Sequence, residues 1–300
     1  MRLLALWIAT AAALLAWSEF LFVNEGPTRD LLGPDGASGL VSYLGFYLMP
    51  AAAWLALCRL CWPARWWQAV LAGSIVGWVI EGAMVPAVYE APPFSFLWTS
   101  VAWHAPVDVL LGLWVLPRIL SGEAGWRLPA LLLPLGLLFG IWAHWPAVPG
   151  DESLDLTLGQ VAFLYGVSVP LAALGALTWA YWGQRALLLP RWAALLALAV
   201  CAGLGVLQGL AVPVFAVPLA GCVALVLWAY LKTARAPAEQ LDPKPARALW
   251  FLGFGAAAML GFWLVEMSAL KVDTELLVFS MFCVGTLTFI VAFARAFTAR

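Results

Sequence analysis

The sequence is poor in charged residues. Asp, Glu, Lys and Arg together make up 10% of its 300 residues, histidine occurs only twice, and the formal net charge is −1. A soluble domain carries about 25% charged residues, and a nucleic-acid-binding protein presents a basic patch on one face. The shortage of charge therefore excludes an ordinary soluble domain, and the absence of a basic cluster argues against nucleic acid as a partner.

Cysteine is also scarce. All five cysteines fall within or at the edge of apolar segments, so no outer loop offers a pair that a disulfide could join. Disulfide frameworks belong to small secreted domains in oxidising compartments. The sequence predicts no such framework for this chain.

Apolar segments dominate the rest of the sequence. Hydrophobic residues make up 65% of it, and segments of about 20 apolar residues recur, each long enough to cross a hydrocarbon core of about 30 Å. We predict an all-α, polytopic integral membrane helix bundle that forms a single transmembrane domain over residues 1–300. The first segment is expected to be a retained helix and not a cleaved signal peptide. The ten predicted spans are 3–23, 39–59, 67–89, 96–117, 128–148, 157–182, 192–209, 212–231, 248–269 and 275–297.

The basic residues predict the orientation of the spans. In the ten-span arrangement only Arg29 and Lys271 lie on one side, whereas every other lysine and arginine lies on the other. Loops rich in Lys and Arg stay cytoplasmic. Both termini are therefore predicted to be cytoplasmic, as is the linker 232–247 that precedes the last two helices. The sequence thus predicts a multi-pass protein of the cell membrane, either a plasma or an inner membrane.

Ionisable side chains within predicted spans mark the candidate functional site. Glu81 lies in the third span, and His104 and Asp108 lie four residues apart on one face of the fourth. Ionisable groups at membrane depth are costly and by default face a protein interior or a wet cavity. Because a short loop joins the two spans, we expect antiparallel neighbours in which Glu81 meets His104 and Asp108 lies about one turn deeper.

Small residues and prolines surround these three side chains. Gly73 and Gly77 share a face with Glu81, at intervals of four residues, which permits a neighbouring helix to approach closely. Pro86 and Pro106 interrupt backbone hydrogen bonding in the two spans. Such disruption at membrane depth is tolerated where the backbone is buried or lines a cavity, so both features favour a site at this helix pair.

Further candidates lie toward the predicted outer ends of the spans. Every acid or histidine within a span lies at the midplane or in the outer half, which predicts a site open to the outside or reached from the outer leaflet. Besides the three central residues, the candidates for a substrate or proton site are Glu90, Tyr89, Trp103, Glu19 and Glu266.

Three functions are open at this point. The first is a transporter or permease for a small molecule, with Glu81, His104 and Asp108 as its substrate or proton site and broken helices around it. The second is an integral-membrane enzyme that acts on a lipid or isoprenoid from the outer leaflet. In that enzyme the same side chains would bind a divalent metal or act as acid and base, and a variant would use His104 and His144 as haem ligands. The third is a structural or assembly subunit. All three place the chain in a lipid bilayer, and the sequence does not predict its oligomeric state.

Overall fold

The structure is a computed structural model that describes residues 1–34, 36–145, 154–233, 237–268 and 273–298. These residues form helices and connecting segments, with no β-strand among them, which confirms the all-α prediction. Three basic residues used in the orientation argument, Arg235, Lys271 and Arg300, lie outside the described residues, as do residues 234–236 of the linker.

Eleven helices of eight residues or more lie within the described part of the chain. They are α1 (Arg2–Phe20), α2 (Glu25–Leu32), α3 (Gly36–Leu60), α4 (Trp66–Met84), α5 (His104–Val115, continued by Leu116–Ser121), α6 (Arg127–Trp142), α7 (Leu158–Trp182), α8 (Arg191–Gly209), α9 (Pro213–Lys232), α10 (Trp250–Ser268) and α11 (Thr274–Thr298). Short helical turns at Pro86–Tyr89 and Phe94–Leu97 lie between α4 and α5.

Eight of these helices are long and apolar enough to cross a membrane, namely α1, α3, α4, α7, α8, α9, α10 and α11. The helices at the predicted fourth and fifth spans are not among these eight. Residues 98–103 form turns, so that α5 begins only at His104, and α6 has 16 residues. The chain therefore has the helices of a multi-pass membrane protein, whereas the count of ten spans and the sidedness of the termini stay predictions.

Three predicted span boundaries are wrong, and one of them is the end of the fifth span, predicted at residue 148 although α6 ends at Trp142. The third span, predicted over 67–89, ends at Met84, because Val85 is extended and Pro86 begins a separate short helix. The fourth, predicted to begin at residue 96, becomes helical only at His104. The short helix α2, in the first predicted outer loop, was not expected from the sequence.

The segments that the basic residues assign to one side of the membrane lie together at one end of the bundle, here called the basic end. Arg59 Nε donates to Leu189 O at 2.6 Å, and Arg118 Nε lies 3.0 Å from Glu239 Oε2. Arg247 donates to backbone carbonyls of residues 119–123. These contacts tie the linker after α9 to the end of α5.

The most extensive helix contact in the structure joins α6 to α10. A Cβ atom on Gly136 would lie 2.8 Å from Ala257 Cβ, and one on Gly140 would overlap the carbonyl oxygen of Ala258. Small residues at four-residue intervals let membrane helices approach until their backbones touch. The short helix α6 is thereby packed directly against the longer α10.

This contact predicts different effects for two glycine substitutions. Gly140→Ala places a methyl group against the Ala258 carbonyl and should cost about 1–3 kcal/mol, the usual cost of overpacking. Gly166→Ala, in α7, meets nothing within 4 Å and should be neutral or slightly stabilising, because alanine favours a helix over glycine. Thermal unfolding of the two purified variants in one detergent measures the difference, and equal midpoints would contradict the packing described here.

Candidate functional site

The buried acids and the histidine all come from π-helical segments. These segments are Ala16–Phe20 at the end of α1, Ile80–Met84 at the end of α4, and His104–Val115 in α5. Backbone N–H groups in or just after each segment bond to carbonyls five residues earlier, at 2.8 to 2.9 Å. A π-helical turn shifts its side chains relative to an α-helix and is frequent at functional sites. Here it directs the polar side chains of three helices toward one another.

Two glycines allow α4 and α5 to meet. A Cβ atom on Gly77 would overlap the carbonyl oxygen of Ser100, and one on Gly73 would lie 2.9 Å from both Ala105 Cα and Val109 Cβ. Higher residue numbers on α4 face lower numbers on the following segment, so the two run antiparallel, as the sequence predicts. This close approach brings Glu81 level with His104.

His104 lies at the centre of a buried polar network. Its Nε2 is 2.8 Å from Glu81 Oε1, and its Nδ1 is 2.7 Å from Asp108 Oδ2 and 3.2 Å from Ser18 Oγ. Thr99 Oγ1 donates to Glu81 Oε1 at 2.7 Å. His104 and Asp108 are buried, whereas Glu81 keeps 15% of its side chain exposed. The imidazole therefore lies between two carboxyl groups in an apolar interior.

Hydroxyl groups extend the network from His104 to a third acid. Tyr47, on α3, lies with its hydroxyl oxygen 2.7 Å from Ser18 Oγ and donates a short hydrogen bond to Glu19 Oε1. Asn24 Nδ2 donates to the other oxygen of Glu19 at 2.7 Å. A continuous path of hydrogen-bonded groups therefore joins Glu19, Tyr47, Ser18 and His104.

The network contains more acids than bases. Glu19, Glu81 and Asp108 supply three carboxyl groups and His104 supplies one imidazole, and their partners in the described hydrogen bonds include no lysine or arginine. If all three acids were ionised, even a doubly protonated imidazole would leave the network negative. Burying an uncompensated charge costs several kcal/mol. The network must therefore carry a proton on a carboxyl group or bind a cation.

Asp108 has a buried carboxyl oxygen that is left unpaired within the described part of the chain. Within the described residues its Oδ1 is buried and has no hydrogen-bond partner. An unpaired neutral oxygen costs less to bury than an unpaired carboxylate oxygen. This unpaired oxygen disfavours the carboxylate, whereas the His104 ring nitrogen 2.7 Å from the other oxygen favours it.

Aromatic side chains close one side of the network. Trp103 is buried, donates from Nε1 to the Trp17 carbonyl at 3.2 Å, and packs on Phe22 with ring centroids 4.6 Å apart. Phe139 and Trp142 contact the Trp103 ring at centroid distances of 5.8 and 5.0 Å. These rings separate the polar groups from their surroundings on that side and keep the local dielectric constant low.

The chain after Glu19 is held in an unfavourable backbone conformation. Val23 has a φ of 61°, and a β-branched residue in the left-handed region is an outlier that costs about 1–3 kcal/mol. Trp142 and Trp145 donate from Nε1 to the Phe22 carbonyl at 2.7 and 2.6 Å, which offsets this cost. The resulting turn places Asn24 against the Glu19 carboxyl group.

Three predicted site residues do not join the network. Glu90 is exposed, and Tyr89 donates to the Gly205 carbonyl at 3.3 Å, away from His104. Glu266 is 54% exposed and lies 3.8 Å from His144 Nδ1. The His144 ring stacks on Phe262 with centroids 4.2 Å apart, and its Nε2 lies 3.3 Å from the Phe262 carbonyl oxygen. Of the predicted candidates, the structure therefore brings together Glu81, His104, Asp108 and Glu19, with Trp103 beside them.

The arrangement of the central three residues favours protons over a metal. A metal ion requires donor atoms that converge on one point, but the two ring nitrogens of His104 face Glu81 and Asp108 on opposite sides of the ring, at hydrogen-bond distances. Among the described residues, no group of three or more His, Cys, Asp or Glu side chains is arranged to hold a metal ion. The divalent-metal hypothesis gains no support from this geometry.

Three members of the network were missed in the sequence. Ser18, Asn24 and Tyr47 are uncharged at neutral pH, so no cost of a buried charge marks them in the sequence. The available signals were the adjacency of Ser18 to Glu19 in an apolar span and the position of Tyr47 within the second span. Only the packing of α1 against α3 shows that they share one site.

Comparisons with known proteins add no identification. The chain matches no protein-family model, no curated protein and no solved structure. Its class, a multi-pass helical membrane protein, rests on the described helices.

The link through Tyr47 predicts a stability difference between two tyrosine variants. Tyr47→Phe removes the hydroxyl group between Glu19 and Ser18 and leaves buried acceptors unpaired, which should cost about 1–3 kcal/mol. Tyr43→Phe removes an exposed hydroxyl group that donates to Asp30 at 2.7 Å and should change stability by about 0.5 kcal/mol or less. Unfolding in detergent compares the two, and equal losses would show that Tyr47 does not hold the network.

Proposed function

We propose that the chain is a proton-coupled transporter of a small molecule in the cell membrane, with Glu81, His104 and Asp108 as its proton site. The observation that supports this most is the excess of buried acid in a connected hydrogen-bonded network. Such a network holds a proton whose removal changes the local charge, and in transporters that change is coupled to movement between helices.

The hydroxyl groups give this proton a path. Tyr47 and Ser18 can each donate or accept a hydrogen bond, so a proton that enters at Glu19 can be passed along Tyr47 and Ser18 to His104. From His104 it reaches Glu81 or Asp108 directly. The path joins α1, α3, α4 and α5, and therefore links the protonation state to the contacts among four helices.

A cavity of about 310 Å³ opens at the basic end and provides a place for a transported molecule. Its lining includes Trp54 on α3 and Leu113 on α5. At 1.5 Å per residue, Trp54 lies about 10 Å along α3 from Tyr47, and Leu113 follows Asp108 by little more than one turn. The cavity and the proton site thus share two helices, which suits coupling between them.

The competing proposal is a structural subunit in which the network only fixes the packing of the helices. A well-satisfied buried network also fixes helix contacts without any transport, and His104, Glu81 and Thr99 are well paired. An enzyme that draws a lipid into the network has less support, because Glu19, His104 and Asp108 are buried and aromatic rings close one side of the network.

The charge of the network is directly measurable. We expect the purified protein at neutral pH to show an infrared carbonyl-stretching band of a protonated carboxylic acid, since exposed acids are ionised at this pH. Asp108→Asn or Glu81→Gln should remove or shift that band, and Glu90→Gln, which changes an exposed acid, should not. A spectrum without such a band would mean that the buried acids are all ionised and would contradict a proton site.

Transport itself is tested in vesicles. Reconstituted protein with an imposed pH gradient is offered a mixture of small metabolites, and uptake is read by mass spectrometry. We expect at least one solute to accumulate, to be lost with a protonophore, and to fall at least tenfold in Glu81→Gln and Asp108→Asn because the coupled proton no longer binds.

Two controls separate transport from packing. Glu90→Gln should transport as the unchanged protein does, and the thermal midpoints of the two core variants should stay within a few degrees of it. The transport proposal would be rejected if the unchanged protein accumulated no solute and the two core variants failed to fold. That pair of results would favour the packing role.

A further inference from the structure

The cavity at the basic end has a chemical character of its own. Its volume of about 310 Å³ lies at the lower end of the range for small-molecule sites, about 300–1,000 Å³. It lies between the ends of α3, α5 and α7 and is covered by residues 239–241 of the linker. The polar network described above contributes no side chain to it.

The charged side chains of the lining are two arginines and one glutamate. Arg118 Nε is 3.0 Å from Glu239 Oε2, and the Arg118 guanidinium lies over the Trp114 ring at 4.0 Å. Arg185 is half-buried and makes no ion pair within the described part of the chain. A guanidinium group favours a planar anion such as a carboxylate, which accepts two parallel hydrogen bonds. The positive balance of the lining therefore favours an anion.

The walls of the cavity are aromatic. Trp54, Trp62 and Trp179 line it, with Trp179 at centroid distances of 5.7 and 6.4 Å from the other two. The Nε1 groups of Trp54 and Trp62 are buried and have no acceptor among the described residues. Both nitrogens are shielded from the open part of the cavity, so these walls offer a ligand mainly the surface of their rings. Flat aromatic bodies pack well against such rings.

We propose that this cavity binds a small aromatic carboxylate, with its anionic group on Arg185 and Arg118 and its ring among the tryptophans. Glu239 occupies the Arg118 side of the site in the structure and competes with the ligand for that guanidinium. Because Glu239 belongs to the linker, ligand entry replaces one contact between the linker and α5, whereas the hydrogen bonds of Arg247 to the end of α5 remain. Only the identification of this ligand as the transported molecule rests on the proposed transport function.

The competition by Glu239 gives a sharp test in detergent, without transport. Indole-3-acetate and benzoate are titrated into the purified protein by calorimetry, each beside its neutral amide. We expect saturable binding of at least one carboxylate and at least tenfold weaker binding of its amide. Glu239→Gln, at a side chain that is 58% exposed, should tighten carboxylate binding severalfold, and Arg185→Gln should weaken it about tenfold or more, the effect of losing a charge-assisted hydrogen bond.

Matched controls keep the outcome interpretable. Glu123→Gln removes an exposed acid near the same end of the bundle that does not line the cavity, and it should leave the affinity unchanged. Equal binding of acid and amide, no gain in Glu239→Gln, or no saturable binding of either carboxylate at millimolar concentration would overturn the proposal. Displacement of bound indole-3-acetate by phosphatidylglycerol would assign the cavity to a lipid headgroup and would also overturn it. If a carboxylate binds in the calorimetric titration but no solute is taken up in vesicles, the binding site is retained and the transport function is rejected.

Discussion

The structure depends on the burial of carboxyl groups in an apolar bundle with one imidazole to balance them. His104 contacts Glu81 and Asp108 at 2.8 and 2.7 Å, and hydroxyl groups connect it to Glu19. No arrangement that ionised every acid would be tolerated there, because an uncompensated buried charge costs several kcal/mol. The folded state therefore needs either a proton on one of these acids or a cation beside them, and the acids lie on helices that contact one another directly.

Irregular backbone makes this clustering possible. The acids and the histidine come from π-helical segments of α1, α4 and α5, and Val23 holds an unfavourable φ directly after one of them. Each π-helical segment points its polar side chains in a direction different from that of a regular α-helix. Backbone irregularity of this kind persists only where the surroundings determine it, and here Trp142 and Trp145 supply hydrogen bonds that do so.

The polar network and the cavity at the basic end are separate regions of the structure that both involve α3 and α5. The network is acidic, buried and closed on one side by aromatic rings. The cavity has two arginines and one glutamate in its lining, and the linker lies over it through the contact of Glu239 with Arg118. Asp108 lies on α5 little more than one turn from Leu113 in the cavity wall. This short distance along one helix is the structural basis for the coupling that we propose.

The sequence by itself determined the class of the fold and the centre of the site. Apolar segments of membrane-spanning length follow from the hydrophobic effect alone, and Glu81, His104 and Asp108 stand out because charge within such segments is costly. The short loop between the third and fourth spans predicted the antiparallel pair, and the spacing of Gly73 and Gly77 predicted the close approach that brings Glu81 to His104. These features depend on local composition and period, which are readable along the chain.

Only the tertiary structure decided which other groups belong to the site. Tyr47 and Ser18 are distant in sequence from His104 and uncharged, so nothing local marks them, whereas Glu90 and Glu266 are charged but lie outside the network. The start of α5 at His104, after the turns at residues 98–103, was likewise not evident from the sequence, whereas the end of α4 at Met84 follows from the bias against helix in the residue before Pro86. Membership of a buried network depends on which helix faces meet, and that information exists only once the bundle has packed.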